Sequence, residues 1–545
     1  MQERNGVAPD LARGLTRRSG GSRDLATADR TGRVALGAFV AVETFALPFL
    51  ITLGRSIWFT ADEWDPIATR TAWDLGDLFR PHNEHWSTLP ILVYRLLWWL
   101  VGLRTHLPYL VIAVLLHLTV AALLRAVMRR AGIGPWLATL AASAYLLFGA
   151  GYFNVEFAWQ MAWGAALACG LGYLLLIDHD GPTDRRDVIG LLLGVAALMS
   201  AGPAVAMVIV VVIAAFLRRG WRVALLHAAP LGTIFLMWWV VIGRKSYVRH
   251  ATLGEAARFM GRNLWATFRA LGHLPGVGAA LIVLLVSGLA LIWVRPRDRS
   301  AWRLPTAPLA LLVGAPVFLF ITGTGRGALV FGVQPSNVSR YLDVAAVMML
   351  PALALAAENV AKRWKALAPF AILALALGIP GNIRAFVDGT DGLVAQTRGS
   401  RSFILSVARN PIAKDLPRTL SPYAFSPDLT IGWLLDSVPS GRLPLPGPFT
   451  RDQLATETLS LALRPSFARP KPCRPLRHPA VRVLHKDDSL QAKSGRIDVV
   501  YLAPDSGQSA PRHLDSDALV ALVGPLRLRL VPRAAPPDKV VALCG

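Results

Sequence analysis

Charged residues are scarce in this chain, and those it has are unbalanced. Only 17% of its 545 residues are Asp, Glu, Lys or Arg, against roughly 25% in an average soluble domain. Acids number 34 against 57 bases. Cysteine occurs three times, in no metal-like spacing, which argues against a zinc site or an iron–sulfur cluster. The alternating glycines of Thr322-Gly323-Thr324-Gly325-Arg326-Gly327 have no strand–loop–helix unit around them, so a nucleotide-phosphate loop is not indicated. What fills the chain instead is apolar sequence. Hydrophobic residues make up 54% of it and mean hydropathy is +0.46. Long apolar runs recur from Val34 to about Phe386, which predicts a polytopic α-helical membrane protein.

The net charge of +23 would suggest nucleic acid in a soluble protein. Here the arginines sit in clusters between apolar runs, the pattern of the positive-inside rule, and no nucleic-acid partner is expected. Seventeen tryptophans suit interfacial aromatic belts. Residues 1–33 are Arg- and Gly-rich and read as a disordered cytoplasmic tail. Arg17-Arg18 is not followed by a short apolar stretch with a cleavage site, so the first span, Val34 to Gly54, is expected to be retained.

Topology turns on Thr88–Leu103. Its wheel places Leu89, Leu92, Val93, Leu96, Leu100 and Leu103 on one face, and Tyr94, Arg95, Trp98 and Gly102 on the other. That is an amphipathic helix suited to lie in the interface rather than cross it. Leu107–Met128 then returns the chain inside. Arg125, Arg129-Arg130, Arg185-Arg186, Arg218-Arg219, Arg295 to Arg303 and Lys362-Arg363 all fall on the cytoplasmic side. A short out-and-back pair surrounds Ser200-Ala201-Gly202-Pro203. In total about eleven spans are expected, with the N-terminus cytoplasmic and the C-terminus outside. The membrane domain is 34–383, with an exterior loop at 55–106. Residues 384–545 form an exterior domain, small and mixed or β-rich. Strands are expected at Val481–Leu484, Ile497–Leu502, Leu526–Val531 and Val540–Leu543. Cys473 and Cys544 both lie in this exterior part, where a disulfide between them can persist.

Polar chemistry concentrates in the exterior loop. From Ala61 to Trp86 it holds six acids and two histidines. Acids beside a bilayer are expensive and are functional candidates by default, although most loop charges do no chemistry. Asp62 and Glu63 either cap a local helix or supply a base. Asp65-Pro66 reads as a helix start. His82, Glu84 and His85 have the donor types for a divalent ion, with His82 and His85 as its candidate ligands, or else they order the loop and bind substrate. Glu156 lies in a second short exterior loop. Arg340 and Tyr341 open a late inward span, as a phosphate clamp or as interfacial anchors. Asn337-Val338-Ser339 is a glycosylation sequon by spelling only.

The acidic pair Asp62-Glu63 soon after the first span, followed by the Arg80–Pro90 stretch and an interfacial helix, resembles the polytopic glycosyltransferases of the GT-C superfamily. Met199-Ser200-Ala201-Gly202-Pro203 is similar to that family's threonine-lysine-glycine-proline turn, with the lysine absent. Ser339-Arg340-Tyr341 is similar to its exterior Arg-Tyr element. The resemblance covers about Val34 to Ile383. It implies transfer of a sugar from a polyprenyl-phosphate carrier to a glycan, lipid or protein acceptor of the cell envelope, on the exterior face. It implies Asp62 as base, with Glu63 a close competitor, and substrate contacts from Glu84, His85, Glu156, Arg340 and Tyr341. A divalent metal ion is a candidate cofactor. The competing expectation is a transporter or lipid flippase, for which Glu43 and His117, deep within spans, would be the working groups.

Overall fold

The computed structural model describes residues 10–245, 251–294, 305–326, 339–423, 426–444, 449–466, 473–492, 495–515, 518–533 and 542–544. In chain order the helices are α1 (Asp10–Gly54), α2 (Leu75–Phe79), α3 (Thr88–Val101), α4 (Leu107–Arg130), α5 (Pro135–Leu146), α6 (Tyr152–Glu156), α7 (Met161–Ile177), α8 (Arg185–Leu198) and α9 (Pro203–Arg219). They continue as α10 (Trp221–Val241), α11 (Leu253–Gly272), α12 (Val277–Val294), α13 (Thr306–Arg326), α14 (Ser339–Arg363), α15 (Ala368–Ala376), α16 (Ile379–Val407), α17 (Ile431–Ser437) and α18 (Arg451–Ala462). The chain divides into two units. One comprises Met1–Arg55, Asp74–Val93 and Leu107–Gly392; the other comprises Ser56–Trp73, Tyr94–His106 and Leu393–Gly545.

The first unit is helical and is the multi-pass membrane part. Among the described residues seven helices are long and apolar enough to cross a bilayer, and nine if each of two bent pairs is one span. The two further spans expected from sequence, α8 and α9, have 14 and 17 residues, at or below the shortest length that spans about 30 Å of hydrocarbon. Large apolar side chains point outward along these helices: Val40 and Phe45 on α1, Leu236 and Met237 on α10, Val283 and Val286 on α12. In water such surfaces would be liabilities; against lipid they are the ordinary solution. The centre is α14, buried at every residue from Tyr341 to Ala357 and packed on α12, α13, α5 and α11. Its alanines let neighbouring backbones come close. A Cβ on Gly288 of α12 would stand 2.4 Å from the Cα of Ala356, so that crossing requires glycine.

Three local departures from the sequence expectation follow from helix physics. The helix α1 begins at Asp10, inside the segment expected to be disordered; its Leu, Ala and Arg content favours helix despite four glycines within residues 10–33. The stretch 244–276, between the apolar runs, contains α11. It opens on a capping box, Thr252 with Glu255, and buries Ala256, Phe259, Asn263, Thr267 and Leu271 along one face. The last helix of the membrane part, α16, continues to Val407, well past Ile383. The sequon Asn337-Val338-Ser339 and the Arg295–Arg303 cluster lie outside the described residues, apart from Ser339.

The helix α3 follows the expected wheel in its helical part, although Leu103, placed on the leucine face, is buried just past its end. It is short and apolar, leaves Leu92, Leu96, Trp99 and Leu100 exposed, and buries Ile91, Tyr94 and Trp98. The aromatic face turns to protein and the leucine face is left for lipid.

The second unit carries two antiparallel sheets. Strands β1 (Leu463–Ser466), β2 (Cys473–Pro475), β3 (Ala480–Leu484), β4 (Ser489–Ala492), β5 (Arg496–Tyr501), β6 (Arg512–Leu514), β7 (Ala518–Ala521), β8 (Leu526–Arg533) and β9 (Ala542–Cys544) order as β1-β7-β4-β9-β2 and β3-β8-β5-β6. In β8, Leu526, Leu528 and Leu530 point into the core while Arg527 and Arg529 point out, the period of two that a half-buried strand requires. Three of the expected strands appear as β3, β5 and β8; of the fourth, Ala542 and Leu543 lie in β9, and Val540 and Val541 lie outside the described residues. Cys473 is disulfide-bonded and stands opposite Cys544 in the β2–β9 register, whereas Cys169 is free.

Candidate functional site

The acidic pair after α1 is split by its own backbone. Thr60 caps a tight turn over Ala61–Glu63, with Ala61 held at φ 45°. The Glu63 side chain folds back so that Oε2 accepts from the Thr60 N–H at 2.9 Å. Its Oε1 accepts from the Tyr94 hydroxyl at 2.8 Å and lies 2.9 Å from His106 Nε2. Glu63 is fully buried, so both carboxylate oxygens are committed to holding the turn. Asp62, on the same turn, is only partly buried. Asp65 is likewise committed: its Oδ2 accepts from Arg70 Nε at 2.8 Å and its Oδ1 from the Thr69 hydroxyl at 2.6 Å. Arg95 donates to the Ile67 carbonyl at 2.7 Å, closing the short helical turn that follows. Tyr94 and Arg95 of α3 are therefore what the turn is built on. Trp64 packs against Trp433 at 5.9 Å and Trp98 against the same ring at 5.5 Å, which ties the turn to α17.

In the helical unit the candidate residues converge on Trp163 of α7. The Arg340 guanidinium lies over the Trp163 ring at 5.9 Å and over its neighbour Tyr341 at 5.0 Å. It donates to the Tyr341 hydroxyl at 3.1 Å. Tyr341 meets Trp163 at 5.9 Å and Phe259 of α11 at 5.7 Å. The ring of His85 meets Trp163 edge-on at 6.1 Å. A guanidinium braced by two rings is positioned without being neutralised, and the Arg340 Nε has no hydrogen-bond partner among the described residues.

The loop before α3 is rigid for identifiable reasons. His82 and His85 exchange backbone hydrogen bonds of 3.0 and 2.9 Å across a turn with Asn83 at φ 52°, a conformation asparagine tolerates. The His82 ring packs on Trp159 at 4.7 Å. Trp86 stacks on Trp238 of α10 at 5.3 Å, nearly parallel. Glu84 pairs with Arg326 at 2.8 Å. The Ser200–Pro203 turn touches this loop: Leu89 N–H donates to the Met199 carbonyl at 3.1 Å, and a Cβ on Gly202 would stand 2.8 Å from the His85 ring.

Two residues that sequence did not single out complete this patch. Asn154 of α6 donates to Asp343 Oδ2 at 2.8 Å and to the Arg340 carbonyl at 3.1 Å. Asp343 is buried, its Oδ1 has no partner among the described residues, and a Cβ on Gly151 would stand 2.9 Å from it. Two residues further along α6, Glu156 is directed elsewhere, against Gly54 and Leu110, and neither of its oxygens has a partner among the described residues.

The three-residue cluster with metal-ligand geometry among the described residues is not the histidine loop but His179, Asp184 and Asp187. Asp187 is already gripped by Arg219 at 2.6 and 3.1 Å and by His227 at 3.0 Å. Burial, followed by the charges of Arg219 and Arg186, lowers the His179 pKa. With two arginines in attendance the cluster reads as a charge network joining α8, α9 and α10. Among the described residues, no third carboxylate or imidazole joins His82 and His85 in such a cluster.

No protein-family model matches the chain, and no curated protein matches it. Among solved structures it is similar to the crystal structure of ArnT from Cupriavidus metallidurans in the apo state, with 16% identity over 79% of this chain and 88% of that one, at a TM-score of 0.41.

Proposed function

We propose that this chain is an integral membrane glycosyltransferase of the GT-C kind, moving a sugar from a polyprenyl-phosphate donor to a cell-envelope acceptor on the exterior face. The observation that carries the proposal is the Trp163 patch, where Arg340, Tyr341 and His85 gather on one ring with the arginine charge unspent. Glycosyl transfer from a lipid phosphate needs a cation for the departing phosphate and a base for the acceptor hydroxyl. Arg340 suits the first role because a guanidinium grips phosphate through two parallel hydrogen bonds. Asp62 suits the second; the engagement of both Glu63 oxygens by Thr60, Tyr94 and His106 favours it over its neighbour. Tyr341 orients Arg340, and Glu84 and His85 bind substrate from the loop that Trp86 and Trp159 brace. Asp343, held by Asn154, is added as a further acceptor contact. Glu156 retains a substrate-side role only if it leaves the Gly54 face. The lipid-facing leucines of α3 would hold a polyprenyl chain beside the Asp62 turn, since Tyr94 and Arg95 on the opposite face bind that turn directly.

The test is turnover of a labelled polyprenyl-phosphate sugar by purified protein, with Asp62→Asn, Glu63→Gln, Glu156→Gln and Arg340→Ala at matched expression. Loss of a general base costs about 100- to 10,000-fold in rate, and Asp62→Asn should show it with donor binding retained. Arg340→Ala should weaken donor binding together with turnover. Near-normal turnover by Asp62→Asn would remove it as base. Absence of any glycosidic product, with lipid movement sensitive to Glu43 or His117 substitution, would replace the enzyme with a transporter.

A further inference from the structure

The C-terminal unit holds a cleft of 670 Å³ between α16, α18 and residues 508–510, within the roughly 300–1,000 Å³ of small-molecule sites. Its walls are fixed. Asp452 Oδ1 accepts from Gln508 N–H at 2.8 Å, and the Thr456 hydroxyl accepts from Ala510 N–H at 2.8 Å. The 508–510 segment is thereby pinned to α18. Phe403 offers an apolar ring on the opposite wall, braced by Tyr423 at 6.3 Å.

The polar groups in the cleft are neutral or acidic. Ser402, Gln453 and Gln508 bring a hydroxyl and two amides, and Asp452 and Glu457 bring carboxylates. None of the lining residues is basic while two are acidic, so an anion meets like charge and no cation. Glu457 Oε2 is buried without a partner among the described residues. Burial raises the Glu457 pKa, against a hydrogen bond from Ser406. An unpaired buried carboxylate oxygen costs stability unless a donor arrives. Hydroxyl-rich ligands supply such donors at many positions and also an apolar face for a ring such as Phe403.

The geometry points to a saccharide-binding cleft, taking a neutral or amine-bearing oligosaccharide and rejecting acidic ones. It binds through Glu457, Gln508 and Asp452, with Phe403 under a sugar ring. This goes beyond the transfer reaction: the cleft anchors the protein to glycan whether or not transfer occurs at the Trp163 patch.

Binding is measured by saturation-transfer NMR on the full chain in nanodiscs, without any lipid donor, using cellotriose, chitosan triose and trigalacturonate as probes. Saturable binding of cellotriose or chitosan triose is expected, with none by trigalacturonate. Glu457→Gln should weaken it about tenfold, the value of one hydrogen bond to a charged group. Ser402→Trp places a large side chain in the cleft from an exposed position and should abolish binding while the melting temperature holds. Failure of all three sugars to bind wild type, equal binding of trigalacturonate, or unchanged binding by Ser402→Trp each overturns the inference. Turnover of the lipid donor is read separately, so loss of one activity does not imply loss of the other.

Discussion

The Oε2 of Glu156 lies 1.8 Å from the point where a side chain on residue 54 would begin. Gly54, the last residue of α1, is therefore glycine because α6 delivers a carboxylate to that spot. Gly54→Ala should cost about 1–3 kcal/mol, the usual price of overpacking, read as a lower melting temperature in detergent. Gly54→Ala combined with Glu156→Ala should recover most of that loss. If the pair is simply additive, the contact is not what excludes a side chain.

Glu63 and Asp62 are adjacent but should behave differently in a stability assay. Glu63→Gln and Tyr94→Phe each disturb a buried network and should destabilise by about 1–3 kcal/mol. Hydrogen exchange should rise across residues 58–67 in both. Asp62→Asn should remove turnover with a smaller loss of melting temperature than either. Equal melting loss in Asp62→Asn would make both acids scaffold.

Asp498 provides a pH test. It is buried in β5, which by itself raises a carboxyl pKa; hydrogen bonds from Arg533 and His513 outweigh this and bring it below the ordinary 3.8. The group binds fewer protons folded than unfolded, so its stabilisation is complete above the ordinary carboxylate range. It is lost as pH falls through the lower folded value. The melting difference between wild type and Asp498→Asn should be widest near neutral pH and should shrink in strong acid. A constant difference would mean that ionisation of Asp498 contributes nothing.

The orientation in the membrane is tested in a Cys169→Ala background. Cysteine at Ser440 or Ser506 should react with an impermeant thiol reagent in intact cells, and Thr183→Cys should be protected until lysis. The reverse pattern would invert the topology and make α3 a span.

Much of the architecture was legible because its causes are local. Apolar runs announced the spans, and alternation announced β3, β5 and β8. The wheel of α3 separated Leu92, Leu96 and Leu100 from Tyr94 and Trp98, and the structure exposes the first set and buries the second. Length deceived at α8 and α9, whose apolar composition outruns their reach. The helix α11 left a signal in Thr252 and Glu255 that composition alone obscures beneath its arginines. Acids of the exterior loop stood out because acids are rare here. Trp163 did not, being one of 17 tryptophans within an apolar run, and Asn154 and Asp343 become partners only when α6 meets α14. Nor could spacing reveal that Glu63 is consumed by Tyr94 and His106, 31 and 43 residues away.

The Asp62 turn also has a history in time. Its supports within the C-terminal unit include the Leu103 N–H bond to the Arg442 carbonyl at 2.8 Å, the Arg104 contacts with Gly441, and the Trp433 ring. Arg104 and Gly441 are 337 residues apart. At about 5–20 residues per second, a nascent chain exposes the turn for on the order of tens of seconds before the ribosome has made what holds it. Throughout that interval the membrane helices from α4 onward can insert while the loop waits unfinished. A stop codon after residue 392 would yield an inserted protein in which the Asp62 turn keeps Tyr94, Arg95 and His106 but lacks Trp433 and Arg442.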